Sequence, residues 1–456
     1  MDFIDKLFST LSTYLWGWPM IILLLGTHIY FTVLLKFPQR KIFKAIRLSF
    51  KKDPDSDGDV SQFSSLATSL AATVGTGNII GVATAVALGG PGAVLWCWLT
   101  GVFGIATKYS EGLLAIKYRV RTSNGQMLGG PMYALERGLG MKWLAVVFCV
   151  FAAVASLGIG NTVQSNAIST LLFEYYQIPV AVSGIVITLL VALILLFGLK
   201  GIARVCSMFV PFMAVLYVLG CMVILIFNRE FLGETFRLIV TSAFTPRAAG
   251  GGFVGATVLM AARYGIARGL FSNESGMGSA PIVAAAAKTR NPVRQALVSS
   301  TGTFWDTVVI CALTGLVLVS SILAFPDIDS TQGASLTKAA FSKIPVVGNL
   351  ILIFGIVSFA FSTILGWYYY GERAVEYLFG KKSLKVFKVI WIIGVFIGAI
   401  AELSTLWNMA DSMNALMAIP NLVALLLLSG VIVRETKKYI KDRDIDKFSD
   451  DDIPQI

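Results

Sequence analysis

Two short polar runs interrupt long apolar stretches of this chain, and their residue types suit the binding of small charged groups. The first is Thr73-Val74-Gly75-Thr76-Gly77-Asn78, inside residues 61–89; the second is Phe271-Ser272-Asn273-Glu274-Ser275-Gly276, inside residues 252–288. Gly and Asn are poor helix formers, so a helix that reaches either run should unwind there. Unwinding frees backbone groups. The N–H groups of Gly75, Thr76 and Gly77, at the start of a following half-helix, would face an anion such as a carboxylate. Freed carbonyls near Ala71, Thr73 and Val74 would face cations, and those of Phe271 and Ser272 would take an ammonium group. Gly276 closes the second run and is counted with it. Opposed half-helix ends suit a zwitterion, so a free amino acid is the expected ligand.

Other polar residues lie deep in apolar segments. Phe359, Ser362, Thr363 and Gly366 are spaced i, i+3, i+4, i+7 and share one helix face. Hydroxyls there serve either helix–helix hydrogen bonds or a sodium site completed by carbonyls of the first break, since sodium wants several hard oxygens, as other hard cations do. Asn161, Gln164, Ser165 and Ile168 share another face, and Gln164 is a candidate contact for polar substrate groups. Trp367 and Phe271 would wall the site and restrict the substrate to a small side chain. Ionisable residues inside spans are functional candidates by default. Asp306 either ligates a second cation, with Asn78 and Ser272, or neutralises Arg263 or Arg268. Asp411 forms a polar stripe with Asn408 and Ser412, and Glu274 lies in the second break. Any of the three carboxylates could carry a proton in place of sodium coupling.

The elements that position these residues are membrane helices. The chain is 56% hydrophobic and 14% charged over 456 residues, the composition of an all-α polytopic membrane protein. About 20 apolar residues cross the hydrocarbon, which gives eleven spans: 17–36, 61–89, 91–117, 142–173, 179–198, 203–227, 252–288, 294–324, 346–370, 386–403 and 407–433. A continuous helix over 61–89 would be about 43 Å long at 1.5 Å per residue, against a core of about 30 Å; two half-helices joined at 73–78 absorb the excess. Of the 37 Lys and Arg residues, 29 fall in one alternate set of connections and six in the other. The positive-inside rule then places the N-terminus outside and the C-terminus in the cytoplasm. The breaks at about 73–78 and 271–276 are roughly 200 residues apart, and the spans after each align at that offset. The expected division is an N-terminal helix with a basic loop (1–60), a first five-helix repeat (61–227), an extracellular loop (228–251), a second, inverted five-helix repeat (252–433) and a charged tail (434–456). Inverted repeats with paired broken helices are the architecture of many secondary transporters.

These features exclude much else. No polar connection is long enough for a soluble domain. The first apolar run lacks the basic leader and small-residue cleavage site of a signal peptide, so it is expected to be a permanent helix. Five cysteines in apolar segments, without CxxC spacing, are core residues. A single histidine, His28, offers neither a metal cluster nor a His-based triad, and an enzyme is not expected. The net charge of +11 reads as topology and lipid-surface attraction, not nucleic-acid binding. The two breaks differ in sequence, which speaks against a channel built from equivalent filters.

Three runs carry a resemblance. Gly-Thr-Gly-Asn-Ile-Ile-Gly (75–81), Gly-Gly-Pro-Met-Tyr (129–133) and Arg-Gly-Leu-Phe-Ser-Asn-Glu-Ser-Gly-Met-Gly-Ser-Ala-Pro (268–281) resemble the alanine or glycine:cation symporter family over essentially the whole chain. The resemblance implies a leucine-transporter-type fold, uptake of alanine or glycine coupled to Na+, and a bacterial or archaeal cell membrane. Proton coupling, or a larger substrate such as glutamine, is the alternative within the same fold. Val-Gly-Thr-Gly-Asn (74–78) is similar, more distantly, to the first-helix break of the neurotransmitter:sodium symporters. That likeness implies a substrate carboxylate near Thr76 and Gly77, Asn78 at one sodium site, and Ala71, Val74, Phe359, Ser362 and Thr363 around another. Two departures stand out. The tyrosine of the third core helix has no match, a gap Gln164 is expected to fill, and the threonine after the second-break phenylalanine is Ser272.

Overall fold

Backbone N–H and C=O groups inside hydrocarbon must bond within the protein, which leaves helices as the economical solution for an apolar chain. The computed structural model is 82% helical. It describes residues 2–456 except 52, 54–55, 247–255, 332, 345–346, 402–403, 441–444 and 446–451. The end of the expected 228–251 loop, the first residues of the 252–288 span and the middle of the tail therefore lie outside the described residues.

Among the described residues, seven helices are long and apolar enough to cross a membrane, or eight if the bent pair Gln62–Thr73 and Thr76–Gly89 is one span. The other three expected spans are helical but do not reach that standard, each for its own reason. Gly92–Lys117 is diluted by polar residues such as Lys108 and Glu111. Val180–Leu195 has only 16 residues. The stretch from Val258 is cut into Val258–Asn273 and the five-residue Ala280–Ala284. Apolarity and length thus support fewer spans than the eleven expected.

The first span also differs from its expected bounds. Helix begins at Asp2, runs to Leu15, and resumes over Trp18–Leu34. The early part was hidden in the sequence by its polar residues, which pair with the last long helix: Asn408 donates to Asp5 at 3.1 Å and Ser412 to the Phe8 carbonyl at 3.2 Å. The loop expected from 228 likewise contains a helix, Leu232–Phe244.

Both expected breaks are present as departures from helix. Ser61 caps Gln62–Thr73 by accepting the Ser64 N–H at 3.0 Å. Helix stops at Thr73 because Val74 and Gly75 are extended, and the axis turns by 64° before Ile80–Gly89 resumes it. In the second break Glu274, Gly276 and Gly278 all have positive φ, at 52°, 86° and 87°. Two glycines make those turns inexpensive; Glu274 sits in the left-handed region without that freedom.

The ends of the two broken stretches meet on the side carrying most basic loops. Asp59 N–H donates to Ala286 O at 2.8 Å, and Lys288 N–H donates to Val60 O at 2.8 Å. Buried Arg119 donates to the carbonyls of Ala285 (3.2 Å), Ala287 (2.9 Å) and Thr289, and Asp57 forms ion pairs with Arg121 and Arg290 at 2.5 and 2.6 Å. These contacts tie residues 57–60 to residues 285–290 on that side.

Candidate functional site

Three elements meet at the first break: the half-helix Gln62–Thr73, the 33-residue helix Val347–Phe379 and the helix Lys142–Tyr176. Gly366 lets the long helix approach closely, since a Cβ there would lie 2.7 Å from Ala72 backbone nitrogen. That approach brings the Ser362/Thr363 face onto the carbonyls freed by the break. Thr363 Oγ1 lies 3.1 Å from Ala71 O and 3.4 Å from Val74 O, Ser362 Oγ lies 3.4 Å from Ala71 O, and both hydroxyls lie 2.9 Å from Phe359 O. Five oxygens thus converge, three from carbonyls and two from hydroxyls, in a region where these residues are 2% exposed or less. The donor set fits a small hard cation, for which oxygen ligands are the rule.

A second polar cluster lies across the break. Asp306, fully buried on a π-helical stretch Phe304–Cys311, accepts Asn78 Nδ2 on Oδ1 at 2.7 Å, and Ser272 Oγ and Thr307 Oγ1 on Oδ2 at 3.0 and 2.7 Å. Stretches of π-helix recur at functional sites because they re-aim side chains. The alternative of Asp306 neutralising Arg263 or Arg268 is not realised. Those arginines line a second pocket whose carboxylate is Asp411. Asn78 Oδ1 accepts the Gly75 N–H at 2.9 Å. The expectation that Gly75 N–H faces an anion is therefore corrected: the break satisfies that group itself, leaving those of Thr76 and Gly77 at the start of the next turn.

Between the two clusters is a small cavity lined by Ala72, Thr73, Gly75, Gly77, Ile159, Gln164, Phe271, Ser272, Glu274, Thr363, Trp367 and Asn414. It encloses about 20 Å³, room for one water by the usual minimum of roughly 10–15 Å³. An amino acid enters only if a wall moves. Gln164 Nε2 donates to Ile159 O at 3.0 Å, so Oε1 faces the break, where it lacks a protein partner; a Cβ on Gly75 would be 3.5 Å from it. Trp367 packs on Gly160, whose absent Cβ would otherwise sit 2.2 Å away, and its Nε1 donates to Glu274 Oε1 at 3.1 Å.

Thr76, Asn78 and Gly276 do not line the cavity. Positive φ at Glu274 and Gly276 turns the chain outward, and Gly276 lies against Leu24 and Leu422. Ile159, Asn414 and Trp16 are additions that residue patterns did not single out. Asn414 does fall three residues after Asp411, on the stripe that Asn408 begins. Phe271 borders both the cavity and a pocket of about 250 Å³ lined by Ser12, Thr13, Trp16, Arg263, Tyr264, Ala267, Arg268 and Asp411. Trp16 meets the Phe271 ring edge to face at 5.8 Å.

A family model described as "Sodium:alanine symporter family" matches residues 1–452. The chain belongs to the sodium:alanine symporter family. Members of this family transport amino acids by symport, and the multiple apolar helices place the chain in a membrane as a multi-pass protein. The chain is similar to the sodium/alanine symporter AgcS of Methanococcus maripaludis, at 48% identity over 96% of this chain and 98% of that one. It is also similar to a probable sodium/glutamine symporter, GlnT, of Bacillus subtilis, at 36% identity over 94% and 89% of the two chains. Among solved structures, MhsT in complex with L-phenylalanine matches at a TM-score of 0.57 and 14% identity, covering 83% of this chain and 98% of that one. That likeness shows the leucine-transporter-type fold. The five cysteines are all buried and free, as core residues should be.

Proposed function

We propose that this symporter imports a small neutral amino acid, alanine or glycine, coupled to Na+, by alternating access of two inverted five-helix sets (61–227 and 252–433). The N-terminus is outside and the C-terminus in the cytoplasm of a bacterial or archaeal cell. The observation that carries the reading is the convergence of Ala71, Val74, Phe359, Ser362 and Thr363 oxygens beside the cavity. In this reading they hold sodium, the Thr76 and Gly77 N–H groups take the substrate carboxylate, and Gln164 Oε1 with the Phe271 and Ser272 carbonyls takes the ammonium. Trp367 and Phe271 limit the side chain. Asn78, Ser272 and Asp306 form a second cation site. One sodium crossing 100 mV supplies about 2.3 kcal/mol, which concentrates a neutral zwitterion roughly 50-fold.

AgcS is named for sodium and alanine, which supports both halves of the reading. The test is alanine uptake into proteoliposomes with inward gradients of sodium or of potassium. Uptake above equilibrium only with sodium is expected; equal uptake with potassium sinks the sodium assignment. A proton-coupled or glutamine carrier is the second reading. Buried Asp306 and Glu274 beside the cavity favour the first variant, and the name of GlnT the second. A competition panel of amino acids at stepped pH separates them.

A further inference from the structure

An apolar groove lies apart from the cavity beside the first break. It has a volume of about 350 Å³ between Gln62–Thr73, Gly198–Phe227 and the π-helical part of Pro292–Ala324, and the short helix Ile42–Phe50 stands at its mouth. Its wall runs along the first half-helix from Phe63 to Val74 just past its end, eleven steps or about 16 Å at 1.5 Å per residue. That is close to one leaflet of a hydrocarbon core about 30 Å thick. Apart from Ser49, its lining is entirely apolar or aromatic, and Phe50, Val215 and Leu219 on it are 70%, 56% and 55% exposed.

The mouth is built differently. On Ile42–Phe50, Phe43, Arg47 and Phe50 are exposed and share one face at i, i+4, i+7 spacing, while Ile42, Ala45 and Leu48 pack inward. A helix with exposed aromatics flanking a basic residue lies in the membrane interface. The segment 36–52 holds seven basic residues and no acidic one. A wall one leaflet deep, opening under a basic interfacial helix, matches a molecule with one end apolar and the other anionic.

We infer that this groove binds one acyl chain of an anionic phospholipid, with its phosphate beside Arg47 and the chain reaching Val74. The occupant then touches the outer side of the first break. The test uses the purified full-length protein incubated with phosphatidylglycerol or phosphatidylcholine of identical chains, with retained lipid counted by native mass spectrometry. Phosphatidylglycerol should be retained under conditions that strip phosphatidylcholine. Arg47→Glu should lower its retention at least about fivefold, the worth of one basic residue at an anionic surface. Val218→Trp, which fills the groove, should do the same, whereas Arg229→Glu, distant in the chain on an opposite connection, should not. Equal retention of the two lipids, or retention unchanged in both groove variants, overturns the inference.

Discussion

Trp16 and Phe271 meet edge to face at 5.8 Å, where Phe271 separates the pocket that Trp16 lines from the cavity at the first break. Edge-to-face pairs contribute about 0.5–1.5 kcal/mol beyond their burial. The tryptophan is itself anchored, since its Nε1 donates to Asp411 O at 3.2 Å and Ser12 bonds the Asp411 carboxylate. The N-terminal helix thus reaches the Phe271 wall of the cavity. Trp16→Ala should speed release of bound alanine to the outer side by about threefold to tenfold, with little change in protein yield. A chase of labelled alanine from proteoliposomes measures it, and an unchanged release rate would make the contact packing alone.

Thr363 is the hydroxyl nearest both break carbonyls. Thr363→Ala removes one oxygen of the five in the proposed cation site. Hydrogen bonds and contacts to charged groups are worth about 1.5–3 kcal/mol, so half-maximal uptake should need at least about tenfold more sodium, with a smaller effect on alanine at saturating sodium. A sodium curve that does not move would leave the hydroxyl with its helix-packing role only.

The same argument extends to a residue without a side chain. Gly366→Ala places a methyl 2.7 Å from Ala72 backbone. The long helix must then withdraw by a few tenths of an ångström or more, separating Ser362 and Thr363 from their carbonyls. A weaker sodium dependence, like that of Thr363→Ala, is expected without loss of any ligand atom. The sodium concentration at half-maximal uptake distinguishes this from general destabilisation, which would lower the amount of protein and not move the curve.

How much of this was legible in the sequence depends on the kind of signal. The break at 73–78 was legible because four poor helix formers fall together in an apolar run. The Phe359/Ser362/Thr363 face was legible because helical spacing alone puts those groups together. Gly276 lies outside the cavity lining, and nothing local tells that Glu274 before it takes a positive φ. Gly75 N–H was misassigned because its partner, Asn78 Oδ1, depends on the exact shape of the turn. Trp16 and Asn414 were missed for another reason: their contacts join residues hundreds of positions apart, and no local period announces such pairs. Length and apolarity by themselves support eight of the eleven expected spans among the described residues, because Gly92–Lys117 is polar, Val180–Leu195 is short and the stretch from Val258 is cut in two.

Trp367 sets the size of the cavity. Its ring packs on Gly160 and its Nε1 donates to Glu274 Oε1, two contacts that hold the ring in the cavity wall. Trp367→Ala should admit side chains larger than alanine, with uptake of valine or leucine rising at least about tenfold relative to alanine; one methylene in a hydrophobic pocket is worth roughly 1–3 kcal/mol. Selectivity unchanged in a competition panel removes Trp367 from the substrate wall.

The last prediction concerns the contacts between residues 57–60 and 285–290 on the basic side. Burial pulls the Asp57 carboxyl upward, but the hydrogen bond and charge of Arg290 and the charge of Arg121 outweigh it and hold the group below its usual value. A depressed carboxyl pKa stabilises these contacts above the ordinary value of about 4 and ceases to do so as pH falls through the lower folded value. The pair is partly exposed, with Asp57 at 25% and Arg290 at 47%, so its worth is small, about 1 kcal/mol or less. Asp57→Asn should therefore lower the exchange protection of the Lys288 and Thr289 amides, which donate to Val60 O and Asp57 O, by about fivefold or less at pH 7. The wild-type protein should lose the same protection only below about pH 4, and the variant should show no further loss there. Equal protection of the two proteins at pH 7 would mean that the Arg119 carbonyl clasp holds these residues together without the Asp57 ion pairs.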